Sequence, residues 1–118
     1  MGEPKTDVLL GTLDLLLLKL LELGPNHGWG LAERLEEVSD GVFQVNQGSV
    51  YPALQRLKRK GFVKSSWGVS ENGRRARYYE LTTGGAGALK EELARWARTA
   101  GAVEQVISLR PSASAAGS

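Results

Sequence analysis

Two short alternating segments enclose an Asn-Gly pair, and this arrangement limits the fold more than any other feature. In Phe62–Trp67, Val63, Ser65 and Trp67 fall on one face, with Phe62, Lys64 and Ser66 on the other. In Ala76–Leu81, Arg77, Tyr79 and Leu81 share a face. Asn72-Gly73 between them is a strong tight-turn signal, so the two segments are predicted to pair as a hairpin. Elsewhere the periodicity is helical, apart from Val42-Phe43-Gln44-Val45, a connector with room for one short strand. The chain is therefore read as mainly α with a small β-hairpin.

Three helices are predicted before the hairpin and one after it. Residues 1–6 read as a loose lead-in, with Pro4 opposing helix. The first helix spans about Asp7–Glu22 and stops at Gly24-Pro25. Its leucines at 9, 13, 16, 17 and 20 form one stripe, and those at 10, 18 and 21 widen it. A helix apolar on two sides is usually buried on two sides, so one face is expected in its own domain and the other against a partner chain. The second helix spans Gly30–Val38, with Leu31, Leu35 and Val38 inward. Asn46 reads as the N-cap of the third, which ends at Gly61 with Val50, Leu54 and Leu57 inward. Pro52 would press on the carbonyl of Gly48, where a glycine tolerates adjustment. The fourth helix starts near Thr82. Leu89, Leu93, Trp96, Ala100, Val103 and Ile107 repeat over about three heptads, a seam that favours packing on another helix. Gly84-Gly85 and Gly101 weaken it, so contact must stabilise it. Residues 109–118 read as a disordered tail.

At 118 residues the chain suits one domain. It has no cysteine, which excludes a disulfide scaffold, a thiolate metal site, a Cys nucleophile and a thiol redox sensor. A single histidine, His27, excludes paired-His zinc sites. No metal or cofactor is expected. Asp14, Lys19 and Glu22 interrupt the leucine-rich stretch, which leaves no membrane span, and a cytoplasmic location is expected. The net charge is +2, but residues 56–77 hold eight basic residues against Glu71 alone. That segment carries +7 and the remainder −5, the footprint of a polyanion-binding face.

Three helices followed directly by a hairpin make a winged helix-turn-helix, with a C-terminal dimerisation helix after it. The third helix would enter the major groove of double-stranded DNA, with the hairpin as wing. Gln47 and Ser49 at its start suit base edges or phosphates, and the Tyr51 hydroxyl suits a phosphate. Gln55 and Arg56 follow on the outer face. Lys64, Arg74, Arg75 and Arg77 supply the basic wing. The predicted domains are residues 1–82 for DNA binding, 83–108 for dimerisation and 109–118 as tail. Leu10 and Leu17 join Leu89, Leu93, Trp96, Ala100, Val103 and Ile107 in the expected dimer interface.

The segment from Gly48-Ser49-Val50-Tyr51-Pro52 to Leu57, then Gly61-Phe62-Val63, resembles the third-helix signature of the PadR family of transcriptional regulators. The segments Ser66-Trp67 and Asn72-Gly73-Arg74-Arg75-Ala76-Arg77-Tyr78-Tyr79 resemble that family's wing. His27-Gly28-Trp29-Gly30-Leu31 resembles its second-helix opening, where tyrosine is commoner than Trp29. The resemblance covers residues 9–107. It implies a bacterial or archaeal homodimer, usually a repressor, on a palindromic operator, with the last helix packed on the partner's first. The short terminal helix matches the compact subgroup, and Tyr51 and the wing basics are carried over as DNA contacts. Some relatives hold flat aromatic effectors between tryptophans at the dimer centre, which makes Trp96 the candidate effector residue. The plainer reading of Trp96 is a packed interface side chain.

Other features read as structural. Trp29 and Trp67 are expected to pack in the core or at the wing base. His27 is expected to cap or bond locally. One of Tyr78 and Tyr79 should pack under the wing, leaving the other to DNA or solvent. Glu36-Glu37 and Glu91-Glu92 lie on polar helix faces and form no catalytic pair. The competing functional reading is a winged helix used for protein–protein contact without specific DNA. An enzyme has almost no support: one His, no clustered acids and no phosphate loop.

Overall fold

The computed structural model describes residues 4–112, with side chains from Thr12 onward except that of Gln47. Its elements are α1 (Pro4–Glu22), β1 (Asn26–His27), α2 (Gly28–Val38), α3 (Gln47–Arg59), β2 (Val63–Val69), β3 (Arg75–Leu81) and α4 (Thr83–Ile107). The three strands form an antiparallel sheet in the order β1-β3-β2.

The hairpin forms as expected, with Val63 opposite Leu81 and Val69 opposite Arg75. Its turn runs from the Ser70 carbonyl to the Gly73 N–H at 2.9 Å, and the Ser70 N–H donates to the Arg74 carbonyl at 2.8 Å. Gly73 takes a φ of +75°, which a side chain would disfavour. The strand β1 was not foreseen, because two residues carry no periodicity. The Val42–Val45 connector forms no strand. Pro4 opens α1 instead of opposing it, since a proline in the first turn lacks only an N–H that would have no helical partner. Likewise α2 begins two residues early, because His27 caps it: the Gly30 N–H donates to His27 Nδ1 at 3.0 Å.

One core joins every helix to the sheet. Leu13, Leu17, Leu18 and Leu21 of α1 meet Leu31 and Leu35 of α2 and Val50, Leu54 and Leu57 of α3. Val63, Tyr79 and Leu89 complete it. Each such side chain contributes about 1.5–3 kcal/mol by leaving water. Within this single chain α1 packs against α2, α3, β3 and α4. The start of α4 is pinned to the α3–β2 joint. Thr82 Oγ1 donates to the Gly61 carbonyl at 2.6 Å and accepts the Gly85 N–H at 3.0 Å. A Cβ on Gly85 would lie 2.0 Å from the Phe62 carbonyl oxygen. Gly85, read from sequence as a weak point, is what lets the helix approach the α3–β2 joint.

Candidate nucleic-acid interface

The third helix is set by its cap and by one close approach. Asn46 is extended and its Oδ1 accepts the Ser49 N–H at 3.1 Å. The helix then runs unbroken through Pro52. The Tyr51 ring rests on Gly28, where a Cβ would lie 3.1 Å from its Cζ. Any larger residue would push that ring away. Tyr51 stays 39% exposed.

The wing carries the charge. Trp67 lies opposite Arg77 in the ladder, with Arg75 two residues away on the same face of β3. The guanidinium carbons of Arg75 and Arg77 sit 4.4 Å and 5.1 Å from the Trp67 ring centroid. Tyr79, on that same alternation, is buried in the core. Tyr78 points to the other face, covers Gly68 and donates from Oη to the Val69 carbonyl at 3.1 Å.

Between α3 and the wing runs a groove of about 820 Å³. It gathers Tyr51, Gln55, Arg74, Arg75 and Arg77 from the predicted set. It also takes in Lys58, Trp29 and Trp67, which the sequence reading did not select. Lys58 was findable: Tyr51, Gln55 and Lys58 follow i, i+4, i+7 spacing and so share a helix face. Trp29 and Trp67 were expected to be packed. They are instead 47% and 55% exposed, Trp29 stacked on His27 and Trp67 lying beneath the two arginines.

Other members of the predicted set fall elsewhere. Arg56 turns to α1, where its Nη2 donates to Asp14 Oδ1 at 2.8 Å. Lys64 stands opposite Glu80 on the wing face away from Trp67. Ser49 is half-buried in the first turn of α3 and does not line the groove. The side chain of Gln47 lies outside those described. Gln55 lines the groove while donating from Nε2 to Tyr79 Oη at 3.2 Å.

The expected dimer residues divide in two. Leu17 and Leu89 are 0% and 2% exposed in one chain, so they belong to its own core and have no surface left for a partner. Leu93, Trp96, Val103 and Ile107 are exposed along α4, and Ala100 is half-buried. The side chain of Leu10 lies outside those described, as do residues 113–118 of the expected tail. Residues 109–112 form no helix or strand. Among the described residues no His, Cys, Asp or Glu cluster could hold a metal ion, and no helix is long and apolar enough to cross a membrane.

Helices α1 to α3 followed by the wing define a winged helix-turn-helix protein with an added C-terminal helix. The Transcriptional regulator PadR-like family matches residues 17–91, well over half of the chain, and the chain belongs to that family. Its members are transcriptional regulators, not enzymes. A transcriptional regulator from Clostridium thermocellum is 27% identical, with a TM-score of 0.76 over 84% of this chain and 96% of that one. A PadR family transcription regulator from Clostridium difficile is 27% identical, with a TM-score of 0.71 over 82% and 99%. Bacillus subtilis PadR in complex with operator DNA shares the fold at 23% identity, with a TM-score of 0.62 over 70% of this chain and 46% of that one.

Proposed function

We propose that this chain is a homodimeric, sequence-specific DNA-binding repressor that acts on a palindromic operator. The observation that carries the reading is the convergence of Tyr51, Lys58, Arg74, Arg75 and Arg77 on one groove between α3 and the wing. A phosphate backbone fits there, with α3 in the major groove and the wing against neighbouring phosphates or the minor groove. The operator complex of Bacillus subtilis PadR, which has the same fold, supports the assignment.

In this reading residues 1–82 bind DNA and residues 83–108 join two protomers. The seam of Leu93, Trp96, Ala100, Val103 and Ile107 is buried against a second copy. A two-fold dimer presents two α3 helices to two half-sites, which is why the operator is palindromic. A flat small-molecule effector beside Trp96 would alter the spacing of those helices and release the DNA. The protein acts in the cytoplasm.

The test is affinity for the DNA upstream of its own gene at several salt concentrations. Phosphate contacts release counterions, so log K should fall linearly with log salt. A flat plot would refute the DNA reading. Light scattering at micromolar concentration should return a dimer, and a monomer would refute the role given to α4.

A further inference from the structure

The two arginines on Trp67 differ from the neighbouring Arg56 in how they are held. Arg56 donates from Nη2 to the Asp14 carboxylate. Among the described residues neither Arg75 nor Arg77 has a carboxylate within ion-pair distance. Glu71, the acid of the wing tip, lies 4.0 Å from His27 Nε2 instead. What holds both guanidinium groups is the face of one indole, at 4.4 Å and 5.1 Å. Strand alternation delivers them there: Arg77 is cross-strand from Trp67, and Arg75 is the next residue on that face.

The chemistry of this arrangement suits a phosphate clamp. The five N–H donors of a guanidinium lie in its plane, and contact with an indole ring spends none of them on a carboxylate. The ring quadrupole attracts the cation without neutralising it. A long side chain held before its ligand arrives also loses less freedom on binding, which raises affinity.

We propose that Trp67 is a positioning residue for DNA binding: it preorganises Arg75 and Arg77 along the groove wall so that both meet the phosphate backbone edge-on. The proposal rests on the DNA-binding reading above. Trp67 acts through the arginines and need not touch the nucleic acid.

The experiment compares the wild type, W67F, W67L, R75A/R77A and the triple variant carrying W67L. Each is titrated with the duplex from upstream of its own gene across a salt series, and each is melted thermally. W67L should weaken binding by about three- to tenfold, with its salt slope retained because no charge is lost. W67F keeps a π face and should recover most of that loss. In the R75A/R77A background W67L should change affinity by less than about twofold, since coupled residues are not additive. An undiminished loss in that background, or no loss in W67L alone, would overturn the proposal. Should W67L melt early, the chemical shifts of Arg75 and Arg77 in the folded wild type decide the proposal. An NMR measurement without DNA separates the two readings. The side-chain protons of Arg75 and Arg77 should be shifted upfield by the indole and return towards ordinary values in W67L. Absent shifts in the wild type overturn the positioning role even if DNA binds. A wild type that shows the shifts but binds no duplex refutes the DNA reading, and the positioning role with it.

Discussion

The leucines of α1 and the apolar residues of distal α4 have similar patterns and opposite fates. Over Leu13–Leu21 both sides of α1 are covered within one chain, by α2, α3, β3 and α4. From Leu93 to Ile107, α4 leaves its large apolar side chains exposed. The difference lies in topology. The helix α1 occurs first, and α2, α3, β3 and the start of α4 pack against it. Only the start of α4, through Gly85 and Leu89, reaches that core. A wide apolar face therefore indicates burial without naming the molecule that provides it, and among the described residues the large face left uncovered within the chain is that of distal α4.

Truncating Leu17 should give the largest effect. It is fully buried in the core, so Leu17→Ala should lower unfolding free energy by about 2–5 kcal/mol. Denaturant titration of a monomeric background would measure it. A loss under about 1 kcal/mol would mean that α1 is not enclosed as described. Next comes Gly85→Ala. The new Cβ would meet a backbone carbonyl, which cannot swing aside as a side chain can. The cost should be about 1–3 kcal/mol. A neutral result in thermal melts would show that α4 is not pressed onto Phe62.

Trp96→Ala tests the other half of the comparison. At 47% exposure the side chain contributes little to the protomer fold, so unfolding measured below the dimer dissociation constant should barely change. Dimer association should weaken by about 2 kcal/mol, close to thirtyfold, because aromatic residues at the centre of an interface carry much of its energy. Sedimentation across a concentration series would read this shift. An intact dimer with a lost effector response would instead assign Trp96 to the effector.

Most of the fold was legible in the sequence, and the reasons are local. Asn72-Gly73 marked the hairpin; Asn46 and Thr82 marked two helix starts with side chains that do cap them. Val50, Leu54 and Leu57 were correctly placed inward. What was missed depends on contacts far apart in sequence. The strand β1 exists only because β3 is there to pair with it. Gly28 and Gly85 matter for the Tyr51 ring and the Phe62 carbonyl that approach them. The interface shows the same division. Charge clustering located the wing arginines, but a count of charges cannot tell a paired cation from a stacked one. Arg56 was therefore grouped with Arg75 and Arg77, although Asp14, 42 positions away along the chain, accepts from its Nη2.

That distinction carries the smallest expected effect. The Arg56–Asp14 pair is about one third exposed on each side, so the pair should contribute only about 0.2–1 kcal/mol to stability. Arg56→Ala should lower the melting temperature slightly and leave the salt slope of DNA binding nearly unchanged, because that guanidinium already faces a carboxylate. Arg75→Ala should instead reduce the slope by about one, the mark of one lost phosphate contact. Asp14→Asn turns the comparison round. It removes the carboxylate but keeps the shape, so Arg56 becomes free to swing towards the nucleic acid and the slope should steepen by up to about one. Equal slopes for R56A and R75A would mean that Asp14 releases Arg56 when DNA arrives, and that α1 gives up its polar contact even though its apolar ones stay within the chain.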